Sequence, residues 1–252
     1  MNNILESIHQ IALDAGQVIL EHYQSGVEVM KKADDSPVTA ADIAANTVII
    51  EHLLKLTPDI PILSEESAHT DWQERQFWET FWLVDPLDGT KEFLKGNGEF
   101  TVNIALIKNG KPVLAVVYAP AQGKSWLGDG ESAWVVNDAG RKQIKACSDT
   151  TPTVVGSRSH PSPDMQEYLN TLDAYKVVAV GSSLKFCLVA EGIAQIYPRL
   201  GPTMMWDTAA GQCIAESAGA KVTLLDGQAL QYHREALLNP YFVCHEPSFG
   251  IK

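Results

Sequence analysis

The sequence predicts an α+β first half joined to an α/β second half, with the change near residue 150. Three observations carry that expectation. Two stretches with apolar residues at helical spacing open the chain, two β-rich runs flank an Asn-Gly turn within 101–119, and strands and helices alternate after Thr150. A length of 252 residues allows one large domain or two small ones sharing an interface. The expected parts are 1–149 and 150–252. No repeat or low-complexity linker separates them, so they are expected to pack tightly.

The elements follow in order. Ile4, Ile8, Ile11, Ala15, Val18 and Ile19 share one helical face, which predicts a helix over 3–24. A short strand over 27–31 leads to a loop at 34–37. A second helix starts near Thr39 and runs through Ile49, Ile50, Leu53 and Leu54. The apolar runs 61–63 and 81–84 are short, and each ends abruptly in carboxylates. The segment 101–119 reads as a hairpin turning at Asn109-Gly110. Strand-and-turn text continues to about residue 147. A strand at 153–157 precedes a helix opened by Ser162-Pro163-Asp164, with proline in the first turn. A strand at 176–180 precedes a helix at 183–191 that stops at Gly192. A strand at 194–197 precedes a helix at 207–218 that stops at Gly219, and strands close the chain.

Composition narrows the function. Apolar residues make up 45% and charged residues 20%, as in ordinary globular proteins. A chain of this size buries roughly 70–75% of its unfolded surface, so a metal is not needed to hold the fold and is free to serve function. With 19 basic and 31 acidic side chains the formal charge is −12, and no run of Lys and Arg supplies a face for nucleic acid. The same acidity repels a phosphorylated substrate unless bound cations reverse the sign locally. Cys147, Cys187, Cys213 and Cys244 are scattered without a CxxC pair, and three lie in apolar stretches, as buried free thiols do. Glu6 and Asp14 interrupt the first apolar residues and no basic stretch precedes them, so a cytoplasmic chain without a secretion signal is expected. No apolar run approaches the ~18 residues of a membrane span.

Four segments carry chemistry. In Asp85-Pro86-Leu87-Asp88-Gly89-Thr90, proline lacks the N–H that a ladder needs. The strand is therefore expected to stop and turn there, with both carboxylates facing one side. The Leu87 carbonyl lies between them, and these hard oxygen donors suit Mg²⁺ better than Zn²⁺. An ordinary Asp-Gly turn is the alternative. Ser64-Glu65-Glu66 ends the other apolar run; a solvated surface pair would not explain that apolar lead-in. Trp206-Asp207-Thr208-Ala209-Ala210-Gly211 puts Asp207 at a helix start, where capping alone would also account for it. In Val38-Thr39-Ala40-Ala41-Asp42, Asp42 fits either a capping box or a base that polarises a water. The residues leave both readings open.

Together these segments resemble the inositol monophosphatase superfamily of Mg²⁺-dependent, Li⁺-sensitive phosphatases. Its signatures D-P-[IL]-D-G-[ST] and W-D-x-[AG]-[AG] both appear without departure, and Ser64-Glu65-Glu66 stands for its glutamate pair. The likeness runs from the N-terminal helix to Cys244. Lys91-Glu92-Phe93, the run 98–105, Ser157-Arg158-Ser159-His160 and the run 181–187 are similar to the bacterial 3'(2'),5'-bisphosphate nucleotidase branch.

The resemblance implies a layered αβαβα sandwich and hydrolysis of adenosine 3',5'-bisphosphate to AMP and phosphate in sulfate assimilation, with 3'-phosphoadenylyl sulfate as a second substrate. It implies one Mg²⁺ on Glu65, Asp85 and the Leu87 carbonyl, another on Asp85, Asp88 and Asp207, and a third weaker ion shared by Glu65. Li⁺ is expected to inhibit. Thr90, bonded to Asp42, would handle the proton of the attacking water together with Glu65. Glu65, Leu87, Asp88, Gly89, Thr90 and Asp207 would meet the reacting phosphate, with the Gly89 and Thr90 N–H groups as donors. His160, Ser182, Ser183, Lys185 and Arg199 are candidates for the rest of a small nucleotide. Arg199 suits a second phosphate best, because its planar fork binds bidentately.

An inositol or sugar phosphate phosphatase would share the metal site and differ over 181–199. A non-catalytic relative would be expected to have lost a ligand or the Thr90–Asp42 pair. The sequence does not fix the oligomeric state, and a monomer is the working expectation. Related bacterial enzymes are described at the cytoplasmic side of the inner membrane, and no cationic amphipathic helix here argues for such peripheral attachment.

Overall fold

A computed structural model of the chain describes residues 2–25, 29–31, 37–67, 70–157 and 163–249. Helix α1 (Asn2–Ser25) is followed by a two-stranded ribbon of β1 (Val29–Lys31) and β2 (Pro37–Thr39), then by α2 (Ala40–Leu56). Next come β3 (Ile62–Ser64), the short α3 (Trp72–Arg75), β4 (Thr80–Asp88) and α4 (Thr90–Lys95). Strands β5 (Thr101–Lys108), β6 (Lys111–Ala119), β7 (Lys124–Gly128), β8 (Ala133–Asn137) and β9 (Gly140–Ile144) then run as consecutive hairpins. The second half holds β10 (Thr153–Ser157), α5 (Pro163–Leu169), β11 (Lys176–Val180), α6 (Leu184–Ala190), β12 (Ile196–Arg199), α7 (Met205–Ser217), β13 (Lys221–Leu224) and β14 (Phe242–His245).

The first sheet is ordered β3-β4-β5-β6-β7-β8-β9, antiparallel throughout except for the parallel pair β3–β4. Its hairpin at Asn109-Gly110 has positive φ at both residues, 50° and 76°, the geometry that matches strand twist. The second sheet is ordered β11-β10-β12-β14-β13. It is parallel across β11, β10 and β12, while β14 runs antiparallel to both of its neighbours.

The apolar alternation of β4 sets the layers. Trp82 and Val84 join Ile8, Ile19, Ile49 and Ile104 in a core beneath α1 and α2. Phe81 and Leu83 point the other way, into a core shared with Phe186, Met205, Ala209 and Cys213 of α6 and α7. Tyr197, Val222 and Phe242 of the second sheet close that core from beyond. Val154, Leu169, Ile196 and Val243 form a smaller core under α5 on the outer face. Helices, sheet, helices, sheet and helix thus stack in five layers. Because both faces of the first sheet are covered, its central strands are apolar on both sides, which explains the unbroken run 81–84.

Some boundaries differ from the sequence reading, among them β12, which runs over Ile196–Arg199 and not 194–197. The ladder does not end at Asp85-Pro86: pairing with β5 shifts between Asp85 and Asp88 and resumes at Asp88 opposite Thr101. A bulge of this kind leaves the proline nitrogen outside the ladder, so the strand survives it. Helix α7 starts at Met205, two residues early, so Asp207 stands at its third position. The short α4 begins at Thr90, where the Gly89 and Thr90 N–H groups were expected at a helix start.

Candidate active site

Strand alternation aims the carboxylates. Leu83 of β4 faces α6 and α7, so Asp85, two residues on, faces them too. Leu63 of β3 lies in the same core, and Glu65 follows it two residues later, held by its N–H to the Val84 carbonyl (3.1 Å). From α7 comes Asp207, whose Oδ2 accepts the Met204 N–H at 2.9 Å. One carboxylate oxygen from each of Glu65, Asp85 and Asp207 lies within 4.8 Å of the other two. Asp85 Oδ1 also accepts the Leu87 N–H (3.0 Å), fixing the turn that carries the Leu87 carbonyl.

Asp88 stands apart from that trio. Its Oδ2 accepts from the Ser183 hydroxyl (2.9 Å) and from Asn103 Nδ2 (3.4 Å). Ser183 Oγ in turn lies 2.8 Å from the Asp207 carbonyl and accepts from Asn103 Nδ2 at 2.8 Å. One hydroxyl proton serves one acceptor at a time, so Ser183 links the β4 turn to α7 by alternation between them.

Asp42 closes the capping box of α2 and also reaches the cleft through Thr90. One oxygen accepts the Thr39 N–H (2.8 Å) and hydroxyl, completing the capping box of α2. The other accepts the Thr90 hydroxyl at 3.3 Å. Thr90 itself lines the cleft.

The cleft has a volume of roughly 300 Å³. Glu65, Asp85, Leu87, Asp88 and Asp207 line it, as do Gly89 and Thr90 at the start of α4. So do Ser182, Ser183, Lys185 and Arg199. His160 lies outside the described residues. Ser182 has a left-handed backbone (φ 45°), and its buried hydroxyl has no partner. Lys185 is buried, its ammonium bonded to the Ser182 carbonyl and set 5.5 Å over the Tyr197 ring. Arg199 Nη2 donates to the Pro202 carbonyl, while its buried Nε has no partner.

Charge in the cleft is unbalanced. Burial, then the carboxylates of Glu65 and Asp88, hold Asp85 well above the ordinary carboxylate range. Burial, then Asp88 and Glu65, do the same to Asp207. Burial raises Asp88 as well, against the opposing pull of Lys185 and the Ser183 hydroxyl. Burial lowers Lys185 to about 8. Carboxylates gathered this closely are the donor set of a hard divalent cation, which supplies the missing positive charge. The residues therefore fit a metal.

Sequence reasoning overlooked Asn103. It sits opposite Asp85 on β5, fully buried, with Oδ1 lacking a partner. The signal was a lone amide in the apolar run Val102-Asn103-Ile104-Ala105. Among the described residues no helix is long and apolar enough to cross a membrane. Cys187, Cys213 and Cys244 are buried free thiols, and Cys147 is exposed.

The chain is similar to known proteins over nearly its whole length. The model of the inositol monophosphatase family matches residues 1–248. The 3'(2'),5'-bisphosphate nucleotidase CysQ of Salmonella typhimurium is 55% identical over 242 residues, covering 95% of this chain and 98% of its own. Its counterpart in Escherichia coli K12 is 53% identical with the same coverage. The crystal structure of CysQ from Bacteroides thetaiotaomicron superposes with a TM-score of 0.87 at 38% identity, covering 97% of both chains.

Proposed function

The chain belongs to the inositol monophosphatase family, and on that premise we propose that it hydrolyses the 3'-phosphate of adenosine 3',5'-bisphosphate to give AMP, with 3'-phosphoadenylyl sulfate as a second substrate. The observation that carries the reading is the meeting of Glu65, Asp85 and Asp207 in a cleft that also holds Lys185 and Arg199. Relatives named for this activity match nearly the whole chain.

The metal of this metal-dependent family is, on our reading, Mg²⁺ bound as two or three ions. Glu65, Asp85 and the Leu87 carbonyl would hold one, Asp85, Asp88 and Asp207 another, and Glu65 would share a third. Bound there, Mg²⁺ stabilises charge on the phosphoryl oxygens and lowers the pKa of a water. The chain's own groups do the rest. Thr90 donates its proton to Asp42, which leaves the Thr90 oxygen free to accept from a water in the cleft. The Gly89 and Thr90 N–H groups would meet phosphate oxygens. Ser182, with its unpartnered hydroxyl, and Arg199, with its unpartnered Nε, face the rest of the nucleotide in this proposal. Lys185 offsets Asp88 from within the protein, and Ser183 holds the Asp88 carboxylate in place. Residues 1–149 thus supply most of the metal ligands, and 150–252 supply Asp207 and the nucleotide-facing groups. The substrate is a metabolite of the cell interior, so a cytoplasmic place of action belongs to the proposal.

The test is phosphate release from adenosine 3',5'-bisphosphate, inositol 1-phosphate and fructose 1,6-bisphosphate, with and without Mg²⁺ and with added Li⁺. Mg²⁺-dependent preference for the nucleotide, inhibited by Li⁺, supports the proposal. Preference for a sugar or inositol phosphate would keep the metal site and overturn the roles of Ser182 and Arg199.

A further inference from the structure

Helix α7 brings Asp207 to the cleft, where the Met204 N–H bonds the carboxylate locally, and a second segment braces the start of the helix. The segment that does so comes from far along the chain. Residues 237–239 run beside the residues that open α7: Met205 N–H donates to the Leu237 carbonyl (2.9 Å), Met204 forms a β-bridge with Leu238, and Asn239 N–H donates to the Thr203 carbonyl (2.8 Å).

The Asn239 side chain then holds both sides of Asp207. It is buried, and its Nδ2 donates to the Met204 carbonyl (2.7 Å) and to Thr208 Oγ1 (2.9 Å), with Thr203 Oγ1 at 3.2 Å. Its Oδ1 accepts from Arg234 Nη2. Two partners fix the orientation of this amide independently, since Arg234 can only donate and the Met204 carbonyl can only accept. Arg234 is itself tied to the carbonyls of Gln231, Ala236 and Leu238, so the amide is pinned to a braced loop. Met204 is the junction, through the peptide groups on either side of its Cα. Its carbonyl goes to Asn239, while the Met204 N–H goes to Asp207 Oδ2. The other anchor, Thr208, also accepts from the Tyr232 hydroxyl (3.1 Å).

We propose that Asn239 is the positioning residue for Asp207, setting the carboxylate's pose through Met204 and Thr208 and thereby the metal affinity of the cleft. The inference rests on the reading of Asp207 as a metal ligand. Groups that orient a ligand without touching the metal are commonly worth about 10- to 100-fold in affinity.

The test measures Mg²⁺ and Mn²⁺ binding to the metal-free protein by calorimetry, alongside kinetics. Asn239→Asp keeps the shape and the Arg234 partner but sets a carboxylate oxygen against the Met204 carbonyl. Asn239→Ser is a second variant that adds no charge. The expected result is metal affinity lowered about tenfold, an equal rise in the metal concentration needed for half-maximal activity, and a substrate KM at saturating metal within about twofold of the parent. Val154→Ala, in the outer core under α5, serves as a control with lowered stability, and its metal affinity should not change. If either folded Asn239 variant binds metal as tightly as the parent, or loses no more than that control, Asn239 is structural only and the proposal fails. Asp207→Asn separates the two readings: unchanged affinity there would overturn the metal-ligand assignment itself.

Discussion

The Thr90 hydroxyl lies 3.3 Å from Asp42 Oδ1, while the other oxygen of the same carboxylate closes the capping box of α2. One side chain thus joins a helix terminus to the cleft, and the two duties separate by mutation. Thr90→Val removes the hydroxyl and leaves the cap intact. Its melting temperature should stay near the parent value while kcat falls about 100-fold or more, the usual scale for a proton-handling group. Asp42→Ala should lose comparable activity and, in addition, about 0.5–2 kcal/mol of stability from the cap. Near-parental turnover in folded Thr90→Val would leave Asp42 with its capping role alone.

Much of this site was legible because strand alternation carries through to the carboxylates. The apolar run 81–84 turns Leu83 toward α6 and α7, and Asp85, two residues on, meets Asp207 of α7. The five-layer fold was legible only through the motifs, since composition gave no more than a mixed class. What could not be read was geometry set by distant partners. Asp207 was expected to open a helix, and it stands third in α7, which begins at Met205 beside segment 237–239. Lys185 was expected to meet the substrate. It lines the cleft but is buried, because α6 is apolar around its whole circumference and no solvated side exists there.

With Asp85, only 1% exposed among other carboxylates, as a proposed metal ligand, metal binding and fold stability are expected to be linked. Mg²⁺ at 100 times its Kd adds about 2.7 kcal/mol of stability. For a chain of this size that is a rise in Tm of roughly 5–10 °C, lost again on chelation. Asp85→Asn removes one of the mutually repelling charges. In chelator it should melt above the chelated parent, and Mg²⁺ should no longer raise its Tm. Scanning calorimetry with and without chelator checks both statements, and a full Mg²⁺ response in Asp85→Asn would remove Asp85 from the ligand set.

Away from the cleft, α1 and the first sheet meet at a pH-sensitive contact. His9 Nε2 lies 3.0 Å from Ser125 Oγ, and burial holds its pKa below the ordinary 6.5, with Glu6 opposing and Arg141 assisting that shift. The folded chain therefore binds fewer protons here than the unfolded chain does. Stability contributed at this position is present above 6.5 and is lost as pH falls through that value toward the lower folded pKa. His9→Gln cannot titrate. Urea unfolding between about pH 7.5 and about pH 5.5 should show the parent losing stability relative to the variant as the solution is acidified. Parallel profiles would mean that His9 contributes nothing to acid sensitivity.

Gly211 permits a close approach between α6 and α7. A β-carbon built there would fall 2.4 Å from Phe186 Cδ2 and 2.8 Å from its Cβ. The ring cannot retreat, because it stacks on Phe242 at 5.7 Å and meets Tyr197 edge-on at 5.0 Å. In an unobstructed helix, glycine to alanine gains about 0.5–1 kcal/mol. Here the clash opposes that gain, and overpacking of this kind costs about 1–3 kcal/mol. Gly211→Ala should therefore lower the melting temperature. It should also weaken metal binding, since pushing α7 from α6 stretches the link through Ser183 between Asp88 and the Asp207 carbonyl. Phe186→Leu opens space for the new methyl, so the double variant should lose less than the two single losses added together. Strict additivity, or a Gly211→Ala protein as stable as the parent, would show that the two helices do not meet at this glycine.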